Sequence, residues 1–257
     1  MEITTELVKK LRDETGVSIM QCKNALEEAN GDMEKARIIL KKKSSSIADK
    51  KSDRNAKEGV IVILEDDKKA LLLALHTETD FVAKNEDFTT LAKSLAKLAF
   101  EKGTDEMKSE SLNMINPVIQ KVGEKIELGA VKEASGDVLG TYVHGGKSGV
   151  IVSLEGGNKE LARNIAMHIT AMKPKYIKRE DIKDEDKNKV MEVFAKEVEK
   201  EDKPENIKKK ILDGKISSYF NEITLNNQKY IKNPDLTIEQ LLKDNNAKLV
   251  SFVRESI

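Results

Sequence analysis

The sequence predicts an α+β protein: an N-terminal three-helix module, two related α+β subdomains with antiparallel sheets, and an inserted helical hairpin. Three observations carry that prediction. The first forty residues hold three short helical periods separated by Gly16 and Asn30-Gly31. A strand hairpin followed by a helix then occurs twice, and a highly charged pair of long helical periods interrupts the second occurrence. The expected boundaries are 1–43 for the three-helix module, 44–57 for a basic linker, 58–137 for the first core subdomain and 138–257 for the second, with the helical hairpin at 182–222.

Each element follows from local chemistry. Thr4 or Thr5 can cap the first helix, which carries Leu7 and Leu11 one turn apart and stops at Gly16. Ser18 and Gln21 have the Ser-x-x-Gln spacing of a capping box for the second, with Cys22, Leu26 and Ala29 on one face. Asp32 caps a third, which bears Ala36, Ile39 and Leu40. From Lys41 to Lys57 there are seven basic residues against two acidic ones, Asp49 and Asp53. That composition reads as a solvated linker or frayed helix, or as a basic patch for an acidic partner.

Beyond the linker the period changes from helix to strand. Val60–Leu64 and Ala70–Leu75 flank a polar turn and form a hairpin whose near-continuous apolar runs call for cover on both faces, or for partial cover of one. Phe88–Phe100 then reads as a helix, Asn116–Lys125 as another with Pro117 in its first turn, and Ile126–Glu133 as a third strand. Val138–His144 and Gly149–Leu154 flank Gly145-Gly146-Lys147-Ser148, and Asn158 caps a helix through Ala171. Asp184–Lys200 and Glu205–Phe220, joined at Asp202-Lys203-Pro204, form the antiparallel helical hairpin. Lys248–Arg254 supplies a closing strand.

Composition excludes several classes. The 257 residues carry 45 basic and 45 acidic side chains, for zero net charge, with 4% aromatics and no Trp. Net neutrality gives no broad basic field for nucleic acid, and few aromatics leave little for base stacking. The longest apolar runs fall far short of the roughly 20 residues a membrane helix needs. One cysteine, Cys22, makes no disulfide, and Met-Glu-Ile-Thr-Thr lacks a signal-peptide pattern. The expectation is a soluble protein of a reducing, cytoplasmic compartment.

The search for chemistry is nearly empty. Gly145-Gly146-Lys147-Ser148 ends like a phosphate-binding loop, but Thr141 stands where the motif needs Gly, and a strand follows where a helix is required. His76, His144 and His168 lie at no metal-binding spacing. Cys22 reads as a core residue. No catalytic residue, cofactor site or metal site is expected, which points to a binding protein rather than an enzyme. Thr79-Asp80-Phe81-Val82-Ala83-Lys84 stands out because Phe81 sits in a polar connection between strand and helix. There it either anchors the loop to the core or projects toward a partner, where an aromatic can dominate interface energetics.

At this segment the chain resembles a known family. Leu11-Arg12, Thr15-Gly16, Met20, Cys22-Lys23, Ala25-Leu26 and Ala29-Asn30-Gly31-Asp32 look like the N-terminal module of bacterial translation elongation factor Ts. Thr79–Lys84 matches that family's core signature. Gly136-Asp137-Val138-Leu139-Gly140 with Tyr142 and His144, Ile165–Ile169 and Lys173-Pro174 agree in order. Ile19 stands where some relatives carry Met, and relatives usually continue past Phe252-Val253-Arg254 into a Gly-containing tail.

The resemblance implies a guanine nucleotide exchange factor for the GTPase elongation factor Tu. Such a factor speeds GDP release, yields to GTP, and neither transforms a substrate nor binds nucleotide, nucleic acid or membrane itself. By resemblance, Thr79, Asp80, Phe81, Val82, Ala83 and Lys84 disturb the Mg²⁺ site of the partner. Arg12, Met20, Lys23 and His144 are further partner contacts by the same likeness. The N-terminal module is similar to ubiquitin-associated domains, and 182–222 resembles the family's projecting coiled coil. Physically, whatever weakens GDP on the partner must itself bind more weakly when GDP is present, by the same factor.

Overall fold

The structure is a computed structural model that describes residues 3–257. Helix α1 (Thr5–Thr15) is capped by Thr4, whose hydroxyl accepts from the Leu7 N–H, and it stops at Gly16 in the left-handed region. Ser18 caps α2 (Ile19–Glu28) by accepting from the Gln21 N–H. The return half of the expected capping box is absent, because the Gln21 side chain instead accepts from Gln120 Nε2 at 2.7 Å. Asp32 caps α3 (Met33–Asp49), and Leu11, Cys22, Ala25, Leu26, Ala36 and Leu40 close a small core.

Helix α3 does not stop where the basic linker was expected to begin. It continues to Asp49, with Ser44 almost fully buried and Ile47 and Ala48 packed against the next core. The reading of 44–49 as linker is therefore corrected. Ser44, Ile47 and Ala48 fall at i, i+3, i+4 and form a narrow inward-facing stripe that the surrounding lysines and serines disguise. The basic residues are partly committed within the chain. Lys43 pairs with Glu28, Lys51 Nζ donates to the Gly123 carbonyl at 2.6 Å, and Arg54 reaches Glu78 at 3.3 Å.

The first sheet runs in the order β1 (Glu58–Glu65), β2 (Lys69–Thr77), β3 (Ile126–Ser135), all antiparallel. Between β2 and β3 lie a short helix α4 (Asp80–Ala83), then α5 (Glu86–Lys102) and α6 (Thr104–Val122). Strand β2 explains its own apolar run. Leu71, Leu73 and Leu75 join Phe88, Leu91, Leu95 and Ala99 under the helices, while Ala70, Leu72 and Ala74 pack in a second cluster with the other sheet. Both faces are covered, so alternation disappears. Helix α6 begins at Thr104, twelve residues before the start read from Pro117 (116 − 104), and Pro117 sits inside it. Met107, Ser111, Ile115 and Ile119 form its buried face; Pro117 is on the exposed side, where the carbonyl it leaves unpaired faces water.

The second sheet has the order β4 (Val138–His144), β5 (Ser148–Gly156), β8 (Ala247–Ser256), with α7 (Lys159–Met172) across one face. Val150, Val152 and Leu154 meet Ile165, Ala166 and Ile169 there, while Ile151 turns to the first sheet beside Ile61, Leu72 and Leu139. Gly140 permits the close crossing of α7 over β4, since a Cβ at that position would lie 2.3 Å from the Ala162 carbonyl carbon. Gly145 and Gly146, at φ +56° and +71°, are the central residues of the turn that the Lys147 N–H closes on the His144 carbonyl, within a three-residue connection from β4 to β5. That geometry turns a hairpin, and no helix N-terminus follows to hold a phosphate.

Helices α8 (Asp184–Glu199) and α9 (Glu205–Ile223) run antiparallel. Successive contacts step down one helix and up the other: Phe194 against Tyr219 edge-on at 5.8 Å, Glu197 to Lys215 at 2.9 Å, and the Glu199 carbonyl to Lys208 Nζ at 3.1 Å. Tyr176 donates to Asp186 and Arg179 to the Ser217 carbonyl, tying the hairpin's base to the core. A two-stranded ribbon, β6 (Lys229–Tyr230) and β7 (Asn233–Thr237), and helix α10 (Ile238–Asp244) complete the chain before β8. Thr237-x-x-Gln240 has a helix-start spacing, and Thr237 accepts from the Gln240 N–H to cap α10.

Candidate functional site

Strand β2 delivers the chain to the segment at Thr77, whose side chain is fully buried. Thr79 then caps α4, its hydroxyl accepting from the Val82 N–H at 3.3 Å. One turn of helix sets the directions of three successive side chains about 100° apart. Ala83 is buried and Val82 packs on the first core, which swings Phe81 outward. Phe81 is 82% exposed, more than any other large apolar side chain among the described residues. The ring neither anchors the loop nor touches the core. Its neighbours do that work.

The polar groups around Phe81 are ordered. Lys84 Nζ donates to Asp80 Oδ2 at 2.7 Å across one helical turn, and that bond holds the Asp80 carboxyl below its usual range. Lys147, on the β4–β5 turn, adds attraction from the side, and Asp80 in turn raises Lys84. Asn85 caps α5 directly afterwards by accepting from the Asp87 N–H. Beneath the segment, the Glu124 carboxylate accepts from the Thr79 N–H, the Thr79 hydroxyl and the Thr77 hydroxyl. Burial pushes the Glu78 carboxyl up, but the Lys125 N–H at 2.6 Å and the Arg54 guanidinium outweigh it and hold Glu78 low. Sequence reasoning did not find Glu124: it lies 45 positions from Thr79, and no local motif marks it.

His144 reaches the same neighbourhood. The Gly146 carbonyl accepts from the Ile61 N–H at 2.7 Å and Lys147 pairs with Glu58, so the β4–β5 turn is moored to the start of β1. Helix α4 also packs against β1, so the turn and the Phe81 segment lie beside the same strand. His144 is exposed, with Nδ1 3.1 Å from the Tyr142 hydroxyl. Arg12, Met20 and Lys23 stand on α1 and α2. All three are exposed, and Arg12 and Lys23 border an apolar groove formed with Val8 and Ile19. The joint between those helices abuts the site through Lys121, which passes beneath Gly16 and binds Asp87 at 2.6 Å in the first turn of α5.

The remaining chemical candidates stand apart. Cys22 is buried in the module's core, its sulfur 3.7 Å from the Val17 carbonyl. His168 is on the buried face of α7 and His76 is half-buried on β2. Among the described residues no cluster of three His, Cys, Asp or Glu side chains has the arrangement to hold a metal ion, and no helix is long and apolar enough to cross a membrane.

Compared with known proteins, residues 78–257 match the family model described as Elongation factor TS, and the matched region opens on the segment bearing Phe81. The chain belongs to the elongation factor Ts family. Elongation factor Ts of Legionella pneumophila strain Lens is 38% identical over 268 residues, covering 99% of this chain and 92% of that protein. The protein of the same name from Legionella pneumophila subsp. pneumophila strain Philadelphia 1 matches to the same extent. These alignments also take in the three-helix module, which lies outside the family model. Membership of the elongation factor Ts family implies a nucleotide exchange factor for elongation factor Tu in translation elongation, and the mixed α+β architecture agrees with it.

Proposed function

We propose that this chain promotes GDP release from elongation factor Tu by using Phe81 as a wedge that disturbs the Mg²⁺ and phosphate site of that GTPase. One observation carries the reading: the most exposed large apolar side chain of the described residues sits on a capped, salt-bridged turn whose adjacent residues are anchored in the core. A ring held this way is presented at low entropic cost, which favours insertion into a partner's apolar pocket. Asp80, paired to Lys84, holds the turn and offers a carboxylate to the partner's displaced helix. Thr79, Val82 and Ala83 set its orientation. Displacing Mg²⁺ suffices to loosen GDP, because that ion is the largest local charge beside the phosphates.

In this reading His144 makes a second contact from the β4–β5 turn. Residues 1–43 dock on the nucleotide domain of the partner through Arg12, Met20 and Lys23, while residues 58–137 and 138–257 form the core that carries the wedge and the helical hairpin. The chain works in the cytoplasm, where elongation occurs, and transfers no chemical group. The direct test mixes the protein with elongation factor Tu loaded with fluorescent GDP and follows release in a stopped-flow instrument. Release accelerates with rising protein concentration if the proposal holds. A rate equal to the spontaneous one at every concentration would refute it.

A further inference from the structure

We infer that Glu124 is a positioning residue for the helical turn that presents Phe81; its consequence for exchange rests on the function proposed above. Helix α4 cannot stand alone. It is one turn long, too short to be stable by itself, and it owes its place to what surrounds it. On one side are the apolar contacts of Val82 and Ala83. On the other is Glu124, half-buried in the connection between α6 and β3, accepting from Thr77 Oγ1 at 3.0 Å, Thr79 N at 3.0 Å and Thr79 Oγ1 at 2.7 Å. All three bonds to this carboxylate are charge-assisted, the shortest at 2.7 Å, and two of them meet on Thr79, the cap residue that sets the start of α4.

The connection that holds Glu124 is itself fastened. Its next residue donates the Lys125 N–H to Glu78, which also receives Arg54, and the Gly123 carbonyl before it accepts from Lys51 Nζ. Glu78 and Glu124 thus reach in opposite directions between two adjacent strand ends and form a double latch. Lys51 and Arg54 follow directly on α3, so the latch also joins the end of the three-helix module to the turn bearing Phe81. Glu124 bonds Thr77 and Thr79. It acts through Thr79.

Two variants and two readouts test this. Glu124→Gln keeps the shape and one acceptor oxygen but turns an N–H toward a donor, while Glu124→Ala removes all three bonds. Hydrogen–deuterium exchange on the free protein should show faster exchange at the amides of residues 79–85, by roughly tenfold or more in Glu124→Ala and less in Glu124→Gln, with α5 and the strands unchanged. Fluorescent-GDP release at saturating protein should slow by roughly tenfold. Combining Glu124→Ala with Phe81→Ala should add little to the Phe81→Ala effect, since the latch acts through that ring. Unchanged exchange at 79–85, or acceleration spread evenly over the first subdomain, would overturn the inference, as would fully multiplicative slowing in the double variant. Local loosening with no effect of either substitution on GDP release would uphold the latch and refute the wedge.

Discussion

Phe81→Ala should slow elongation-factor-Tu-bound GDP release by a large factor while leaving the fold as it is. Truncating a buried aromatic anchor at an interface costs on the order of 2–4 kcal/mol, and at about 1.4 kcal/mol per tenfold this corresponds to roughly 30- to 1,000-fold. In the free protein the ring is exposed, so its removal deletes almost no packing, and a surface change of this kind stays within about 0.5 kcal/mol of the parent. The two measurements therefore separate. Thermal unfolding should be nearly unchanged, and stopped-flow release should collapse. Wild-type release by the variant would remove Phe81 from the mechanism.

A large stability effect is expected at His168. This ring is fully buried, with Nε2 3.0 Å from Gln228 Oε1 and Nδ1 accepting from the Ile231 N–H at 3.3 Å. Gln228 passes the link on by donating to the Glu222 carbonyl at 2.5 Å and the Met172 carbonyl at 3.4 Å. The network thus joins α7 to the exit of the helical hairpin. His168→Ala leaves a cavity and strands buried polar groups, for a loss of about 3 kcal/mol in unfolding free energy. Burial lowers the pKa of His168 from its ordinary 6.5, and the bond to Gln228 only partly opposes that. The neutral ring is the folded form, so the unfolded chain takes up the proton first as pH falls. Its contribution is fully present above pH 6.5 and is lost on acidification through the lowered folded value. Denaturant titrations from pH 7.5 downward should show stability declining below 6.5 in the parent, with a shallower decline in His168→Ala. Equal slopes would mean that His168 does not titrate with unfolding.

How far the sequence spoke depended on whether a signal was local. The three caps at Thr4, Ser18 and Asp32, the Gly145-Gly146 turn and the Asn158 cap were all legible, because each depends on residues within four positions of one another. The run Ala70–Leu75 announced a strand covered on both faces or partly on one, and β2 is covered on both. Helix α6 was misread at its start because Pro117 favours a first turn; the stripe Met107, Ser111, Ile115, Ile119 has the competing evidence, weakened by a serine in its middle. The end of α3 was hidden in the same way, by lysines around a three-residue stripe that itself contains a serine.

The candidate site was half legible. Phe81 stood out as an aromatic in a polar connection, yet periodicity could not say whether it points inward or outward. That is decided by Val82 and Ala83, whose burial rotates the ring away from the core, and by a helix too short to carry its own periodic signal. Glu124 was invisible because its two partners, Thr79 and Thr77, are 45 and 47 positions away. A lone glutamate between Gly123 and Lys125 looks like any other surface acid in a chain that is 35% charged.

Exchange by a wedge is a statement about linked equilibria, and it is tested there most directly. The affinity of elongation factor Tu for this chain should be measured by calorimetry with the GTPase nucleotide-free and saturated with GDP, for the parent and for Phe81→Ala. If the outward ring and the nucleotide compete for one arrangement of the metal site, GDP weakens binding of the parent by much more than the roughly 5- to 150-fold of ordinary coupling, and most of that difference vanishes in the variant. Equal affinities with and without GDP in the parent, or an undiminished difference in Phe81→Ala, would contradict it.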